Sequence, residues 1–297
     1  MKRILLTGVN GQLGQDLQRT LAGWGEVTGK GREQMDLAQP AQIRHVIEEL
    51  KPEVIINTAA YTAVDQAETE TEKAKALNVI APSVIAELAQ QQGAALVHLS
   101  TDYVFDGSKN TPYTEEDTPN PVSVYGQSKL AGEQAVRANC DRHLILRTAW
   151  VYGACGKKNF VKTMLRVGAE REELRVVADQ VGTPSWTGEI ASAITQLLPP
   201  NPNLTGTYHF TNSGVASWYD FAIAIFEEAQ QLGFPLKVQR VVPLTTPEYP
   251  TPAQRPPYSV LSTQKISSAL GTRPSHWRQG LRKMLKELYA QQQENVD

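Results

Sequence analysis

The stretch Ile4-Leu5-Leu6-Thr7-Gly8-Val9-Asn10-Gly11-Gln12-Leu13-Gly14 decides the fold. Its apolar start predicts a short parallel strand that is buried on both faces. A helix from about Gln12 to Trp24 is predicted to follow. In the GxxGxxG pattern between them, Gly8 permits a tight turn, Gly11 lets the backbone approach a pyrophosphate, and Gly14 lets the helix pack close to the strand. A plain turn that binds nothing is the alternative, but the position between a strand and a helix favours dinucleotide binding.

Apolar runs alternate with helical patterns along the first half of the chain. Strands are predicted at 54–57, 96–99 and 144–147, and helices at 81–92 and 124–139. This alternation implies an α/β fold with a parallel sheet wound on both sides. We therefore predict a Rossmann-type doubly wound parallel sheet in residues 1–150, completed by part of 174–210, and a smaller C-terminal α+β substrate domain in 151–297.

Composition excludes several classes of protein. The chain has 29 basic and 31 acidic residues, a net charge of −2, which does not suggest a nucleic-acid binder. It has no apolar run of about 18 residues, so no membrane span or membrane partner is expected, and the first residues do not resemble a signal peptide. Its two cysteines, Cys140 and Cys155, form neither a disulfide framework nor a zinc site. We expect a soluble cytoplasmic protein.

The second strand leads into a segment that bears on the choice of cofactor. An acidic residue at its end would hold the ribose 2′-hydroxyl of NAD, but this chain has Gly29-Lys30-Gly31-Arg32 there. Cations at this position suit a 2′-phosphate, so NADPH is expected. The alternative is that these are solvated loop charges. Small residues in Thr58-Ala59-Ala60-Tyr61-Thr62, after the third strand, leave room for a ligand in the crevice.

Tyr125 and Lys129 stand four residues apart in a predicted helix from Val124 to Asn139. This spacing places both side chains on one face. A nearby ammonium favours the phenolate, so it would lower the pKa of the tyrosine and make it usable in proton transfer. The spacing also arises by chance, and the alternative is an exposed pair on a helix surface.

Four phrases carry a resemblance over nearly the whole chain: STDYVFDG (100–107), VYGQSKLAGE (124–133), RTAWVYG (147–153) and YPTPAQRP (249–256). With the glycine pattern, they resemble the extended short-chain dehydrogenases/reductases, and among these the dTDP-4-dehydrorhamnose reductase family. The resemblance implies reduction of the C4 ketone of dTDP-4-dehydro-L-rhamnose, the last step of dTDP-L-rhamnose synthesis. Two departures are Ser185, where the family's DQxGTPT turn ends in Thr, and Tyr258, where a small polar residue is expected.

The resemblance also implies roles for individual residues. Tyr125 would donate the proton, Lys129 would assist it and hydrogen-bond the nicotinamide ribose, and Thr101 would hydrogen-bond the ketone oxygen. Residues expected to bind the cofactor are Gly8, Gly11, Gln12, Leu13, Gly14, Arg32, Asp36, Leu37, Ala60, Tyr61, Thr62, Tyr125 and Lys129. Residues expected to bind the substrate are Thr101, Asp102, Tyr103, Trp150 and Arg255. Trp150 could instead pack in the core, and Arg255 could form a surface salt bridge.

Two other functions stay open from the sequence. One is a regulatory subunit that binds NADP and a partner enzyme without catalysis, although the complete Thr101, Tyr125 and Lys129 set speaks against it. The other is a nucleotide-sugar epimerase or dehydratase. A dehydratase typically has Asp-Glu after the threonine, whereas this chain has Asp102-Tyr103. NADH as a second cofactor, a homodimer, and magnesium by resemblance alone are further expectations; no ligand cluster in the sequence indicates a metal.

Overall fold

The computed structural model describes residues 2–198 and 205–294. Its strands are β1 (Lys2–Thr7), β2 (Gly25–Lys30), β3 (Val54–Asn57), β4 (Ala95–Thr101), β5 (His143–Thr148), β6 (Val151–Tyr152), β7 (Glu173–Val177), β8 (Val181–Gly182), β9 (Ser185–Trp186), β10 (Gly206–His209), β11 (Ala216–Ser217) and β12 (Arg240–Leu244). Its α-helices are α1 (Gln12–Thr20), α2 (Pro40–Leu50), α3 (Val64–Ala67), α4 (Thr71–Lys75), α5 (Ala81–Gln92), α6 (Val124–Asn139), α7 (Phe160–Glu170), α8 (Thr187–Leu197), α9 (Trp218–Gln231), α10 (Gln264–Leu270) and α11 (Trp277–Glu294). A π-helical turn, Ala76–Ile80, joins α4 to α5.

Within these described residues, the main sheet has six strands in the order β2-β1-β3-β4-β5-β10, and every neighbouring pair is parallel. The predicted α/β class is confirmed. The strand order reverses between β1 and β3, and in open parallel sheets ligands bind outside the carboxyl ends of the strands at such a point. The turns after β1 and β3 are therefore where a cofactor site is expected.

The inner strands of the sheet are largely continuous apolar runs because both faces of the sheet are covered. Side chains alternate between the faces, so Leu6 and Ile56 pack with α1 and α8, while Leu5 and Ile55 pack with α2, α5 and α6. Helix α1 ends at Thr20, four residues earlier than predicted. Gly23, with a φ of +90°, lies in the turn that returns the chain to β2.

A second hydrophobic core lies in the C-terminal half. Helices α7, α9 and α11 pack around Phe221 and Leu281, and α9 packs on the parallel pair β7–β12. In contrast, α8 packs on α1, and β10 extends the main sheet by pairing with β5. Both elements therefore belong with the main sheet and its helices, although they lie in the second half of the chain. The division into 1–150 and 151–297 stays a prediction. None of the helices in the described residues has the length and apolar character needed to cross a membrane.

Candidate active site

The glycine pattern builds the turn between β1 and α1. Gly8 has a φ of +69°, in the left-handed region that favours glycine. A Cβ on Gly14 would overlap the carbonyl oxygen of Gly8, so glycine permits this close approach of helix and strand. No side chain caps the start of α1, where Gly11 is the N-cap residue. The first N–H groups of the helix are thus available to a phosphate, which the helix dipole also favours.

A cavity of about 320 Å³ opens between this turn and the end of β3. Six of the predicted cofactor residues line it: Gly8, Gly11, Arg32, Asp36, Leu37 and Ala60. It is also lined by Thr7, Asn10, Lys30, Gly31, Met35, Ala59 and Leu77. Of the other predicted contacts, Leu13 and Gly14 are buried in the start of α1. The Gln12 side chain donates to the Val151 carbonyl (3.2 Å) and accepts from Asn159 (3.1 Å), so it is engaged by the second half of the chain.

Lys30 and Arg32 place positive charge at one end of this cavity. Arg32 is exposed, and among the described residues its guanidinium has no ion-pair partner. Gly31 leaves room for the Asn10 side chain, whose Nδ2 would lie 2.6 Å from a Cβ at this position. The end of the cavity is therefore suited to an anion, as the sequence predicts for a 2′-phosphate.

Tyr125 and Lys129 lie one turn apart at the start of α6. Ser123 is the N-cap residue of the helix, and its hydroxyl accepts from the Gly126 N–H (3.2 Å). Tyr125 is 9% exposed and Lys129 is 2% exposed, so an exposed surface pair is excluded. The Tyr125 hydroxyl forms a hydrogen bond with Thr101, at the carboxyl end of β4. Of the predicted catalytic residues Thr101, Tyr125 and Lys129, the structure thus brings the first two into direct contact through their hydroxyl groups.

The pKa of Tyr125 is shifted in the opposite direction to the one predicted from the sequence. Burial raises the pKa of Tyr125 to about 12, although the hydrogen bond with Thr101 opposes it. The Lys129 ammonium donates to the carbonyl of Leu99 (2.6 Å) and does not lower that pKa. Burial lowers the pKa of Lys129 itself to about 8, against the effect of Glu133 one turn further along α6. Tyr125 is therefore protonated at neutral pH and suited to donate a proton.

Asp102 and Tyr103 follow Thr101 directly. Burial raises the pKa of Asp102 to about 6, while hydrogen bonds from Ser259 and Thr101 oppose the shift. Its Oδ2 is buried without a hydrogen-bond partner in the described residues, so it is available to a polar ligand. The Tyr103 ring stands edge-on to Tyr125 at a centroid distance of 5.7 Å. Both residues therefore lie close to the Thr101–Tyr125 pair, and their role in binding the substrate stays a prediction.

Asn78 is a residue of the site that the sequence analysis missed. Fully buried in the π-helical turn, it accepts from the backbone N–H of Tyr61 (2.8 Å) and donates to the Tyr61 carbonyl (3.1 Å). It also donates to Ser128 (2.9 Å), whose hydroxyl donates to the Tyr125 carbonyl (2.8 Å). The cofactor-side segment is thereby fixed to the catalytic helix. A lone Asn within the apolar run 76–80 is the signal that could have found it.

A second cavity, of about 260 Å³, lies beside the second core. It is lined by Phe160, Met164, Arg175, Val176, Val177, Gln180, Trp218, Tyr249, Thr251 and Arg255. Trp150 stacks on Trp218 with ring centroids 3.6 Å apart and an angle of 5°. Trp150 therefore supports the wall of this cavity from behind, and it is only partly buried. Trp218 and Arg175 were not predicted from the sequence.

Arg255 lines the same cavity, but its guanidinium is already paired. It forms two hydrogen bonds with the carboxylate of Asp65, at 3.0 and 2.8 Å. Arg255 thus forms a salt bridge, which is the alternative that the sequence left open. The pair is not fully on the surface, because the Arg255 side chain is only 19% exposed.

Within residues 2–198 and 205–294, one group of potential metal ligands was found, comprising Asp16, Cys155 and Glu287. Both carboxylates are already paired with Arg19. Mg²⁺ prefers oxygen ligands, and a thiol is a soft one. This group therefore does not fit magnesium.

Fold and site together define an oxidoreductase of the short-chain dehydrogenase/reductase class, with a dinucleotide crevice beside a buried Thr-Tyr-Lys set. The family model described as "RmlD substrate binding domain" matches residues 1–290. The dTDP-4-dehydrorhamnose reductase of Burkholderia thailandensis is 42% identical over 97% of this chain and 100% of that protein, and its Escherichia coli K12 counterpart is 41% identical over 96% and 98%. The chain belongs to the dTDP-4-dehydrorhamnose reductase family.

Solved structures agree with this assignment. The dTDP-4-dehydrorhamnose reductase of Bacillus anthracis, solved in complex with NADP, has a TM-score of 0.90 and 40% identity over 96% of this chain and 99% of that one. A UDP-glucose 4-epimerase of Thermus thermophilus, in complex with NAD, has a TM-score of 0.80 at 22% identity, over 97% of this chain and 99% of that one. The second likeness shows the shared fold alone.

Proposed function

We propose that this chain catalyses the NADPH-dependent reduction of the C4 ketone of dTDP-4-dehydro-L-rhamnose to dTDP-L-rhamnose. The observation that carries the proposal is the hydrogen bond between Thr101 and a protonated, buried Tyr125, at the carboxyl end of β4 beside the dinucleotide crevice. The names of the family's characterised members supply the sugar nucleotide.

The chemistry divides between cofactor and protein. NADPH, when bound, supplies the hydride to C4. The ketone oxygen gains negative charge in that step, and Tyr125 donates a proton to it. Thr101 hydrogen-bonds the same oxygen and orients the phenol. Lys129 keeps a positive charge near the reacting groups, and Asp102 offers its free carboxylate oxygen to a sugar hydroxyl.

The proposed cofactor preference predicts the effect of removing Arg32. Its exposed guanidinium makes no ion pair within the described residues and lies at the cation-lined end of the crevice. Arg32→Ala should therefore raise the KM for NADPH about tenfold, with a much smaller change for NADH, which lacks the 2′-phosphate. Initial rates with both cofactors test this, with the remote Arg166→Ala as a charge-matched control. An equal rise in KM for both cofactors would show that Arg32 does not bind the 2′-phosphate.

Loss of the Trp150 ring should weaken substrate binding. Trp150→Ala removes the support behind Trp218, so the KM for the sugar nucleotide should rise about tenfold while the Kd for NADPH stays unchanged. Steady-state kinetics and fluorescence titration measure the two quantities. Trp24→Ala, at an exposed tryptophan, is the matched control. An unfolded Trp150→Ala protein would instead support the core-packing alternative.

Three further expectations stay predictions: use of NADH as a weaker cofactor, assembly as a homodimer, and a cytoplasmic location. Magnesium has no step in the proposed mechanism, because the group Asp16, Cys155 and Glu287 does not fit it.

The decisive experiment gives the purified chain NADPH and dTDP-4-dehydro-L-rhamnose without any second protein. It should consume NADPH and form dTDP-L-rhamnose, identified by mass spectrometry and chromatography against a standard. A panel of UDP-linked 4-keto sugars tests the choice of base. Tight NADPH binding without turnover of any 4-keto sugar nucleotide would contradict the proposal.

A further inference from the structure

One ion pair connects the cofactor side of the site with the substrate side. Asp65 lies in α3, just after the segment 58–62 that leaves the carboxyl end of β3. Ala59 and Ala60 in that segment line the dinucleotide crevice. Arg255 lies 190 residues further on, in the proline-rich segment 249–257 that borders the second cavity.

The contact between these two residues is bidentate. Arg255 Nη1 donates to Asp65 Oδ1 (3.0 Å) and Nη2 donates to Oδ2 (2.8 Å). The backbone N–H of Ala253 also donates to Oδ1 (3.2 Å). Two parallel N–H···O bonds fix the plane of the guanidinium as well as its distance. Asp65 therefore holds both the side chain and the backbone of the substrate-side segment.

Arg255 also forms hydrogen bonds within its own segment, 249–257. Its Nη1 donates to the Thr251 hydroxyl (2.5 Å) and to the Ala253 carbonyl (3.1 Å). Its other neighbour is the hydroxyl of Tyr103, which forms a hydrogen bond with it. Because the Tyr103 ring contacts Tyr125, a single side chain separates Arg255 from the proton donor.

The pair is more enclosed than a typical surface salt bridge. The Arg255 side chain is 19% exposed and that of Asp65 is 39% exposed. Exposed ion pairs contribute little to stability, and a partly buried bidentate pair mainly fixes geometry. The pKa of Asp65 is lowered by Arg255, so the carboxylate is charged throughout the neutral range.

We propose that Asp65 is a positioning residue for sugar-nucleotide binding, which holds Arg255 and segment 249–257 in place over the substrate-side cavity from the segment that flanks the cofactor. The inference rests on the proposed function. Asp65 contacts neither cavity in the described structure, so it acts through Arg255. Arg255 itself lines the substrate-side cavity, where its positive charge suits an anionic diphosphate.

A double-mutant cycle tests this role. Asp65→Ala should raise the KM for the sugar nucleotide about tenfold, with kcat within a factor of about three and the melting temperature close to that of wild type. Arg255→Ala should have a similar effect. The double variant should be no more than about twofold worse than Arg255→Ala, because both changes remove one contact.

The controls separate positioning from charge and from stability. Glu72→Ala removes a carboxylate from a nearby exposed position and should leave KM unchanged. Asp65→Asn keeps one acceptor oxygen, so it should restore part of the affinity. A fall in KM in Asp65→Ala would show that Asp65 competes with the substrate for Arg255. An unchanged KM, or additive effects in the double variant, would also overturn the proposal.

A binding measurement keeps the inference separate from the proposed activity. The Kd of dTDP, measured by calorimetry with NADP⁺ present, should rise about tenfold in Asp65→Ala, as KM does. If the wild type turns over no 4-keto sugar nucleotide, the proposed function fails, but this titration still decides the role of Asp65. Equal dTDP affinity in wild type and Asp65→Ala would contradict it.

Discussion

Replacing Tyr125 with phenylalanine is expected to lower kcat for ketone reduction by about 10²–10⁴-fold, the usual contribution of a positioned general acid. The substitution keeps the ring against Tyr103 and removes only the hydroxyl that meets Thr101. NADPH should therefore bind with unchanged Kd. Stopped-flow single turnovers with saturating NADPH measure the chemical step directly.

The matched control is Tyr289→Phe, which removes a phenol hydroxyl from the second core. It should retain wild-type kcat. Turnover near the wild-type value in Tyr125→Phe would show that another group, or water, protonates the ketone oxygen.

Loss of the Lys129 ammonium should have the second largest effect. Lys129→Met keeps the length of the buried side chain and removes its charge, so kcat/KM should fall by about 10²-fold. The pKa of Lys129 is lowered to about 8 by burial, so the group is charged below that pH and neutral above it. Wild-type kcat/KM should consequently fall as pH rises through about 8, and the variant should lack this limb.

A pH–rate profile between pH 6 and 10, a range that brackets a lysine pKa near 8, measures both claims. Lys73→Met, at an exposed lysine paired with Glu70, is the control for loss of a positive charge. An alkaline limb that survives in Lys129→Met would assign it to a different group. A variant with wild-type activity at every pH would remove Lys129 from the mechanism.

Local patterns predicted the elements that hold the site. Helix α6 spans Val124–Asn139 as predicted, because a capping Ser123 and the residues that follow it determine its start locally. Strands β3, β4 and β5 were found because a strand buried on both faces must be apolar throughout. Helices α2 and α10 were not predicted, although Ile43, Val46 and Ile47 give α2 a buried apolar face; α10 has only seven residues, and Ile266 is its buried one.

Contacts between distant parts of the chain were not predictable in the same way. The pairing of Asp65 with Arg255 spans 190 residues, and neither side chain indicates the other in the sequence. Asn78 needed the π-helical turn to reach Tyr61 and Ser128 together. The raised pKa of Tyr125 was also missed, because burial is a property of the packed fold and outweighs the spacing to Lys129.

The position of β10 has a consequence for synthesis of the protein on the ribosome. This strand pairs with β5 at the edge of the main sheet, yet it follows α7, β7 and α8 in the chain. A nascent chain that ends near residue 150 would expose the unpaired edge of β5, and the face of α1 that α8 later covers would be open to water. Domains tend to fold in the order of their synthesis. Here the main sheet cannot be completed until residues 206–209 have been synthesised. Until then, the unpaired edge of β5 can pair with other chains.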